Sequence, residues 1–168
     1  MDDTPSAVRA GLSETEMRAT LVRLAFGGDE RKLEEFCEVL QRAIPADTAA
    51  VLRGSAITGV RWSDNAPFDA DGPGTSDLDL TLVGNDILSC YNPMGGFYIP
   101  GVHSKPLSDE HPDIAPRLLP LRKHLVEMTG RPVNIQGTRD WIMFFREHVM
   151  NQPYLKLFGR LDEPGPEP

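Results

Sequence analysis

The chain has 168 residues, 40% of them hydrophobic and 25% charged, which is ordinary for a protein with a single hydrophobic core. No apolar run reaches the ~20 residues of a membrane-spanning helix, and the acidic N-terminus lacks the apolar segment of a secretory signal. The net charge of −8 argues against non-specific nucleic-acid binding, which needs clustered Lys and Arg. We therefore expect a cytoplasmic domain whose partners are small molecules or proteins, without membrane contact.

Two amphipathic helices are predicted in the first third of the chain. After a tail expected over 1–12, Ser13 and Glu16 form a capping box that begins a helix over 13–26. Apolar residues at helical spacing predict a second helix over 30–44, which Asp29 can cap.

Two short strands are predicted in the middle of the chain, at 49–53 and 77–83. A brief helix or turn over 56–59 follows the first strand. The segment over 60–76 is rich in Asp, Gly and Pro and is predicted to be a long loop. Residues 84–116 show no sustained period and are expected to be irregular.

The last third is predicted to contain a helix over 117–128, a strand over 131–136 and a final helix over 138–150. Thr138 is expected to cap that final helix, because its hydroxyl can accept from a backbone N–H of the first turn. Residues 162–168 are expected to form a second tail.

Helices before and after a few short strands predict one α/β domain of the α+β type over 13–161. We expect a small mixed sheet of three to five strands, flanked by helices that pack mainly on one of its faces.

The second strand carries the most informative pattern, because its alternation separates acidic from apolar residues. Asp77, Asp79 and Thr81 share one face, while the leucines between them share the other and can pack into a core. Two carboxylates held that close repel each other unless a cation lies between them, and the usual cation is a divalent metal. The pattern predicts a Mg²⁺ site at Asp77 and Asp79; a solvated strand face is the alternative.

The first strand ends in Gly54-Ser55, a turn that suits a phosphate. A glycine lets the backbone approach a phosphate without a Cβ in the way, and the Ser55 hydroxyl can donate to a phosphate oxygen. Arg53 either steers the phosphate or is a solvated or ion-paired residue at a strand end. With the Asp pair, the turn indicates chemistry on a nucleoside triphosphate.

The order of these motifs, Leu-Arg-Gly-Ser on one strand and Ser-Asp-Leu-Asp-Leu on the next, resembles the nucleotidyltransferase superfamily of the DNA polymerase β type. The resemblance covers residues 49–136 and is to its minimal members. It implies transfer of a nucleoside monophosphate from an NTP, with ATP expected, to a hydroxyl, using Mg²⁺. It also implies that Gly54 and Ser55 bind the nucleotide and that the two aspartates hold the metal; Arg53, beside Gly54, is a further candidate for contact with the nucleotide.

The sequence departs from that family in two ways. Residues 62–75 lengthen the spacer, and the third carboxylate, common in the family on a later strand, is Asn134 here. An amide carries no charge and cannot act as a base. Three outcomes are open. The Asp pair is the only pair of carboxylates at work, and Asn134 orients the metal, water or acceptor; Asp69, Asp71 or Asp86 replaces the missing carboxylate; or the protein is a non-catalytic nucleotide-binding or toxin–antitoxin interaction module.

Several other side chains in loop-like segments could meet a substrate. His103 and His111 lie in the irregular segment, without the spacing of zinc ligands. Aromatic residues in such segments either stack on a base or an acceptor, or cover an open sheet face. These residues are Trp62, Tyr91, Phe97 and Tyr98.

Overall fold

The computed structural model describes residues 11–139, 142 and 152–161, which form a six-stranded mixed sheet flanked by helices. The α+β class is therefore confirmed. The α-helices are α1 (Glu14–Ala25), α2 (Glu30–Ala43), α3 (Ser55–Thr58) and α4 (Leu119–Thr129). The strands are β1 (Ala49–Arg53), β2 (Leu78–Val83), β3 (Phe97–Ile99), β4 (His103–Ser104), β5 (Val133–Thr138) and β6 (Tyr154–Phe158). Short 3-10 helices span Asp86–Cys90 and Pro116–Leu118.

The first two helices begin at the caps that the sequence predicts. The Ser13 hydroxyl accepts from the backbone N–H of Glu16 at 3.1 Å, and the Asp29 carboxylate accepts from that of Arg31 at 3.0 Å. These bonds satisfy donors that the first turn of a helix leaves without an intrahelical partner. Both predicted helices are confirmed.

The strand order is β3-β4-β5-β2-β1-β6, in which only the β2–β5 pair is parallel. A parallel pair needs a long crossover connection, and α4 lies on the stretch of chain that joins β2 to β5. This topology puts β2 at the centre, where Asp79 pairs with Arg53 of β1 on one side and with Asn134 of β5 on the other.

The leucine face of β2 lies in the main core, as the alternation predicts. Leu78, Leu80 and Leu82 are at most 1% exposed and belong to one cluster with the apolar face of α2. A much smaller cluster, formed by Ala49, Val51 and Val83, lies apart from it. The helices of the main core therefore lie against the leucine face of β2, opposite Asp79.

The predicted count of three to five strands is wrong, because the sheet has six. Two of its strands, β3 and β4, lie in the segment that the sequence analysis expects to be irregular, and β6 was not predicted at all. Strands of two or three residues are too short to show a period, so β3 and β4 give no signal in the sequence.

The strand predicted over 131–136 extends to Thr138, the residue that is expected to cap the final helix. Thr138 is the last residue of β5, pairs with Val83 and is fully buried. The final helix expected over 138–150 otherwise falls outside the described residues except for Arg139 and Ile142, and so do the predicted tails except for residues 11 and 12. Among the described residues, no helix is long and apolar enough to cross a membrane.

Candidate functional site

Three of the residues singled out from the sequence meet at the centre of the sheet. The Asn134 amide donates from Nδ2 to Asp77 Oδ2 at 2.7 Å and to Asp79 Oδ1 at 3.3 Å. Asp77 directly precedes β2, and the parallel register sets Asp79 beside Asn134. One amide group thus bridges two carboxylates, and its two N–H groups offset part of their mutual repulsion.

Gly54 closes one side of this cluster. A Cβ at position 54 would lie 2.8 Å from Asp79 Oδ2, closer than real side chains approach. The backbone angles, φ 86° and ψ −161°, also fall in a region that is essentially restricted to glycine. Two reasons therefore require glycine at position 54: the backbone conformation and the close approach of the turn to Asp79. Ser55 follows as the first residue of α3.

Arg53 lies beside the acidic cluster rather than out in solvent. It pairs with Asp79 across the β1–β2 ladder, and its Nε lies 3.4 Å from the Thr81 hydroxyl. Burial lowers the pKa of Arg53, and the charge of Asp79 partly offsets that decrease. Because a guanidinium keeps its proton in proteins, Arg53 supplies a fixed positive charge next to the carboxylates.

The donor set fits Mg²⁺ better than a metal that needs a full cage of protein ligands. Mg²⁺ usually takes one or two carboxylates from the protein and completes its shell with water and substrate phosphates. In the described part of the chain, no group of three or more His, Cys, Asp or Glu side chains gathers around one point. Asp77 and Asp79 can supply the carboxylates, and the Asn134 amide would present its oxygen after a rotation about χ2.

Asp79 lies where three cavities meet. The first, about 430 Å³, is lined by Gly54, Ser55 and Asp77 and is called the Ser55 cavity here. The second, about 220 Å³, lies between Arg53, Thr58 and Pro153. The third, also about 220 Å³, is lined by Arg53, Asn134, Tyr98 and His103 and is called the His103 cavity. A carboxylate shared by separate cavities can contact two bound groups at once.

The long spacer before Asp77 is held in place by an ion pair that the sequence analysis missed. Arg131 donates from Nη1 to Asp69 Oδ1 at 2.8 Å and from Nη2 to Asp69 Oδ2 at 3.1 Å, and its guanidinium lies 4.5 Å from the centre of the Phe68 ring. The hydrogen bond from Arg131 lowers the pKa of Asp69 to about 2. Asp69 is therefore a structural anchor, and the expectation that it replaces the third carboxylate is wrong.

Asp71 and Asp86 do not supply the third carboxylate either. Asp71 lines the Ser55 cavity, but its carboxylate binds Arg61 at 2.8 Å, and it does not form one cluster with Asp77 and Asp79. Asp86 begins the 3-10 helix beyond the far end of β2, about 20 Å along the strand from Asp77. The position beside the Asp pair is filled by Asn134.

The aromatic residues of the loop-like segments divide into two kinds. Tyr91 is buried, and its hydroxyl donates to the carbonyl of Ile135 at 2.7 Å, while Phe97 packs against its ring. Trp62 and Tyr98 are 50% and 58% exposed and line cavities that Asp79 also lines. Of these four aromatic residues, Trp62 and Tyr98 are therefore the two whose rings are exposed enough to stack on a ligand.

No protein-family model, no curated protein and no solved structure matches the chain. The function is therefore argued from the residues of the site and from the resemblance of their motifs.

Proposed function

We propose that this protein is a Mg²⁺-dependent nucleotidyltransferase that works in the cytoplasm. It would transfer a nucleoside monophosphate from an NTP, with ATP the first candidate, to a hydroxyl of a small molecule or a protein. The observation that supports this most is the contact of one amide, that of Asn134, with both Asp77 and Asp79, while Gly54 leaves no room for a side chain against Asp79.

Each residue of the cluster has a distinct part in the proposal. Asp77 and Asp79 would hold the metal, and Asn134 would orient it through the amide oxygen. Gly54 and Ser55 would contact the triphosphate in the Ser55 cavity, where Gly54 admits the close approach and Ser55 donates a hydrogen bond. Mg²⁺, when bound, would neutralise part of the negative charge on the phosphates. Arg53 would add a fixed positive charge beside them.

The charge of the chain bears on the acceptor. With a net charge of −8, the surface repels nucleic acid, whose binding depends on neutralising many phosphates. A compact acceptor that enters a cavity meets only the local charges around it. A small molecule or a protein side chain therefore fits the proposal better than the end of a nucleic acid.

A thermal-shift panel tests the nucleotide and metal site. ATP, GTP, CTP and UTP are each measured with and without Mg²⁺. A ligand present at about 100 times its Kd stabilises the folded state by about 2.7 kcal/mol, which raises the Tm of a domain of this size by several degrees. We expect a shift that needs nucleotide and Mg²⁺ together, and the nucleotide that gives the largest shift identifies the base.

A pair of double variants makes this test specific. Replacing both Asp77→Asn and Asp79→Asn keeps the size of the side chains but removes the charge that would hold the metal, so the combined shift should disappear. Replacing the exposed Asp47→Asn and Asp113→Asn removes the same charge elsewhere and should leave the shift intact. Unchanged ATP affinity in the first double variant would refute the proposal.

A second candidate is a module that binds nucleotide, or a toxin–antitoxin partner, without catalysis. What favours it is the neutral amide of Asn134 at the position where related enzymes commonly carry a carboxylate. Transfer from NTP labelled at the α-phosphate separates the two candidates. If the parent is inert and Asn134→Asp gains activity, the site is a decayed one; if the parent is active and this variant loses activity, Asn134 belongs to a working site.

A further inference from the structure

The His103 cavity approaches the carboxylate cluster from a different direction than the Ser55 cavity does. Asp79 lines both cavities. Of these two cavities, Asn134 lines the His103 cavity alone, and Ser55 lines the Ser55 cavity alone. A molecule in the His103 cavity would therefore meet the same carboxylate as a phosphate beside Ser55, without competing for its place. This is the arrangement that a two-substrate transfer needs.

Two neighbours on β5 indicate which ring nitrogen of His103 carries the proton. The Gln136 amide donates from Nε2 to the carbonyl of Ser104 at 2.7 Å, so that atom is the NH₂ group, and the imidazole Nε2 at 3.2 Å from it must accept. The Thr138 hydroxyl donates to the carbonyl of Val102, so it accepts from the imidazole Nδ1 at 2.9 Å. Both contacts indicate a neutral ring with its proton on Nδ1.

His103 is the residue in this cavity best suited to receive a proton. The guanidinium of Arg53 and the amides of Asn134 and Gln136 have no basic lone pair. The Asp79 carboxylate can also accept a proton, but in the proposed function it holds the metal. The Nε2 lone pair of His103 accepts a 3.2 Å contact from the Gln136 amide, which a hydroxyl could displace.

We propose that the His103 cavity is the acceptor subsite and that His103 is the base which receives the proton of the acceptor hydroxyl. This inference rests on the proposed function. The hydroxyl oxygen attacks the α-phosphorus of the NTP and forms a new P–O bond. The bond between the α-phosphorus and the bridging oxygen breaks, pyrophosphate leaves with the electron pair, and the hydroxyl proton passes to Nε2 of His103. The base that the family commonly takes from a third carboxylate thus comes from β4.

The dimensions of the cavity limit the acceptor. Its volume of about 220 Å³ lies below the ~300–1,000 Å³ of pockets for drug-sized ligands, so a compact hydroxyl compound fits it. The ring of Tyr98 stands 6.1 Å from the ring of His103 and is 58% exposed, which gives the subsite an aromatic wall at its mouth.

Water is the acceptor with which the inference is tested, because it enters any cavity that a hydroxyl compound enters. Pyrophosphate release is measured with Mg²⁺ and ATP, GTP, CTP and UTP in turn, for the parent, His103→Ala and His103→Gln. The exposed His124→Ala is the control. Loss of a general base slows a reaction about 10²–10⁴-fold. We expect both His103 variants to lose at least 100-fold in rate while their affinity for Mg²⁺ and nucleotide stays within twofold.

The outcomes separate this inference from the proposed function. If the parent shows no Mg²⁺-dependent nucleotide binding, both fail. If it binds nucleotide but the His103 variants release pyrophosphate at the parental rate, or if the parent releases none, the acceptor subsite is wrong and the nucleotide site stands. Long-range ¹H–¹⁵N correlation spectra test the geometry independently of turnover, and a proton found on Nε2 of His103 in the free protein would also overturn the inference.

Discussion

Arg131 and Asp69, which are 62 residues apart in the sequence, form a bidentate salt bridge with N–O distances of 2.8 and 3.1 Å. The same Arg131 Nη1 donates to the carbonyl of Ser76 at 2.9 Å, and Asp69 Oδ1 accepts from the backbone N–H of Ser76. Ser76 is thereby held from both sides. Because Asp77 follows directly, this bridge fixes where the acidic strand begins.

Replacing Asp69→Asn should destabilise the fold strongly for a single change. Arg131 is 8% exposed, so the variant leaves a guanidinium charge without its partner in a place that water hardly reaches. Breaking such a pair costs about 3 kcal/mol. Denaturant unfolding measures the loss. Asp64→Asn, which breaks the solvent-exposed bridge to Arg61, is the matched control and should change stability far less. Equal effects of the two variants would contradict the anchoring role of Asp69.

The same carboxylate predicts how stability depends on pH. The pKa of Asp69 falls from an ordinary 3.8 to about 2 in the folded protein, mainly through the hydrogen bond from Arg131. Between these values the unfolded state binds more protons, so stability rises with pH. Above pH 4, ionised Asp69 contributes about 2 kcal/mol to the free energy of unfolding, and that contribution is lost as the pH falls toward 2.

Unfolding of the parent and Asp69→Asn over pH 2–5 measures this dependence. The stability difference between the two should be largest at the upper end of the range and should shrink as the solution is acidified. A difference that stays constant over the range would show that Asp69 is not the group that titrates.

Replacing Gly54→Ala should lower stability and impair the proposed metal site. The conformation of Gly54 costs an alanine about 1–3 kcal/mol, and the new Cβ would push against Asp79. We expect a lower Tm and loss of the shift that Mg²⁺ and nucleotide produce together. Gly95→Ala is the control, since Gly95 also has a positive φ, 91°, but open space around its Cβ position. If Gly54→Ala keeps the full ligand shift, the close approach to Asp79 has no functional meaning.

Replacing Asn134→Asp should make the stability of the protein depend more strongly on metal. Without metal, three carboxylates would converge and the hydrogen bonds from Nδ2 would be lost, at a cost of about 2 kcal/mol. Mg²⁺ bound between the three carboxylates should raise the stability of the variant by more than this cost. Thermal melts in chelator and in Mg²⁺ measure the difference, and Asn134→Ala, which removes the hydrogen bonds without adding charge, should show no such gain. A Mg²⁺ response no larger than that of the parent would count against a cation at this position.

The parts of the fold that the sequence predicts are those with local signals. The caps at Ser13 and Asp29 act within three residues, and the alternation of β2 repeats over enough positions to reveal its two faces. By contrast, β3 and β4 are too short to show a period, and β6 was missed. The extension of β5 to Thr138 depends on pairing with Val83, which no neighbouring residue signals.

The candidate site divides in the same way. The sequence shows the order of Gly54-Ser55, the Asp pair and the amide at position 134, because each of them has a fixed place relative to a strand. The distances between these groups cannot be predicted from the sequence, since Asp79 meets Asn134 only through the parallel register of β2 and β5.

By itself, the sequence determined which chemical groups the candidate site contains: a glycine turn, two carboxylates, and an amide in place of a third. Only the tertiary structure decided that Asp69 forms a salt bridge with Arg131 and that His103 lines a cavity together with Asp79. The physical reason is that strand faces and caps are set by interactions between near neighbours. Ion pairs and cavities form between residues that only the sheet order and the crossover bring together.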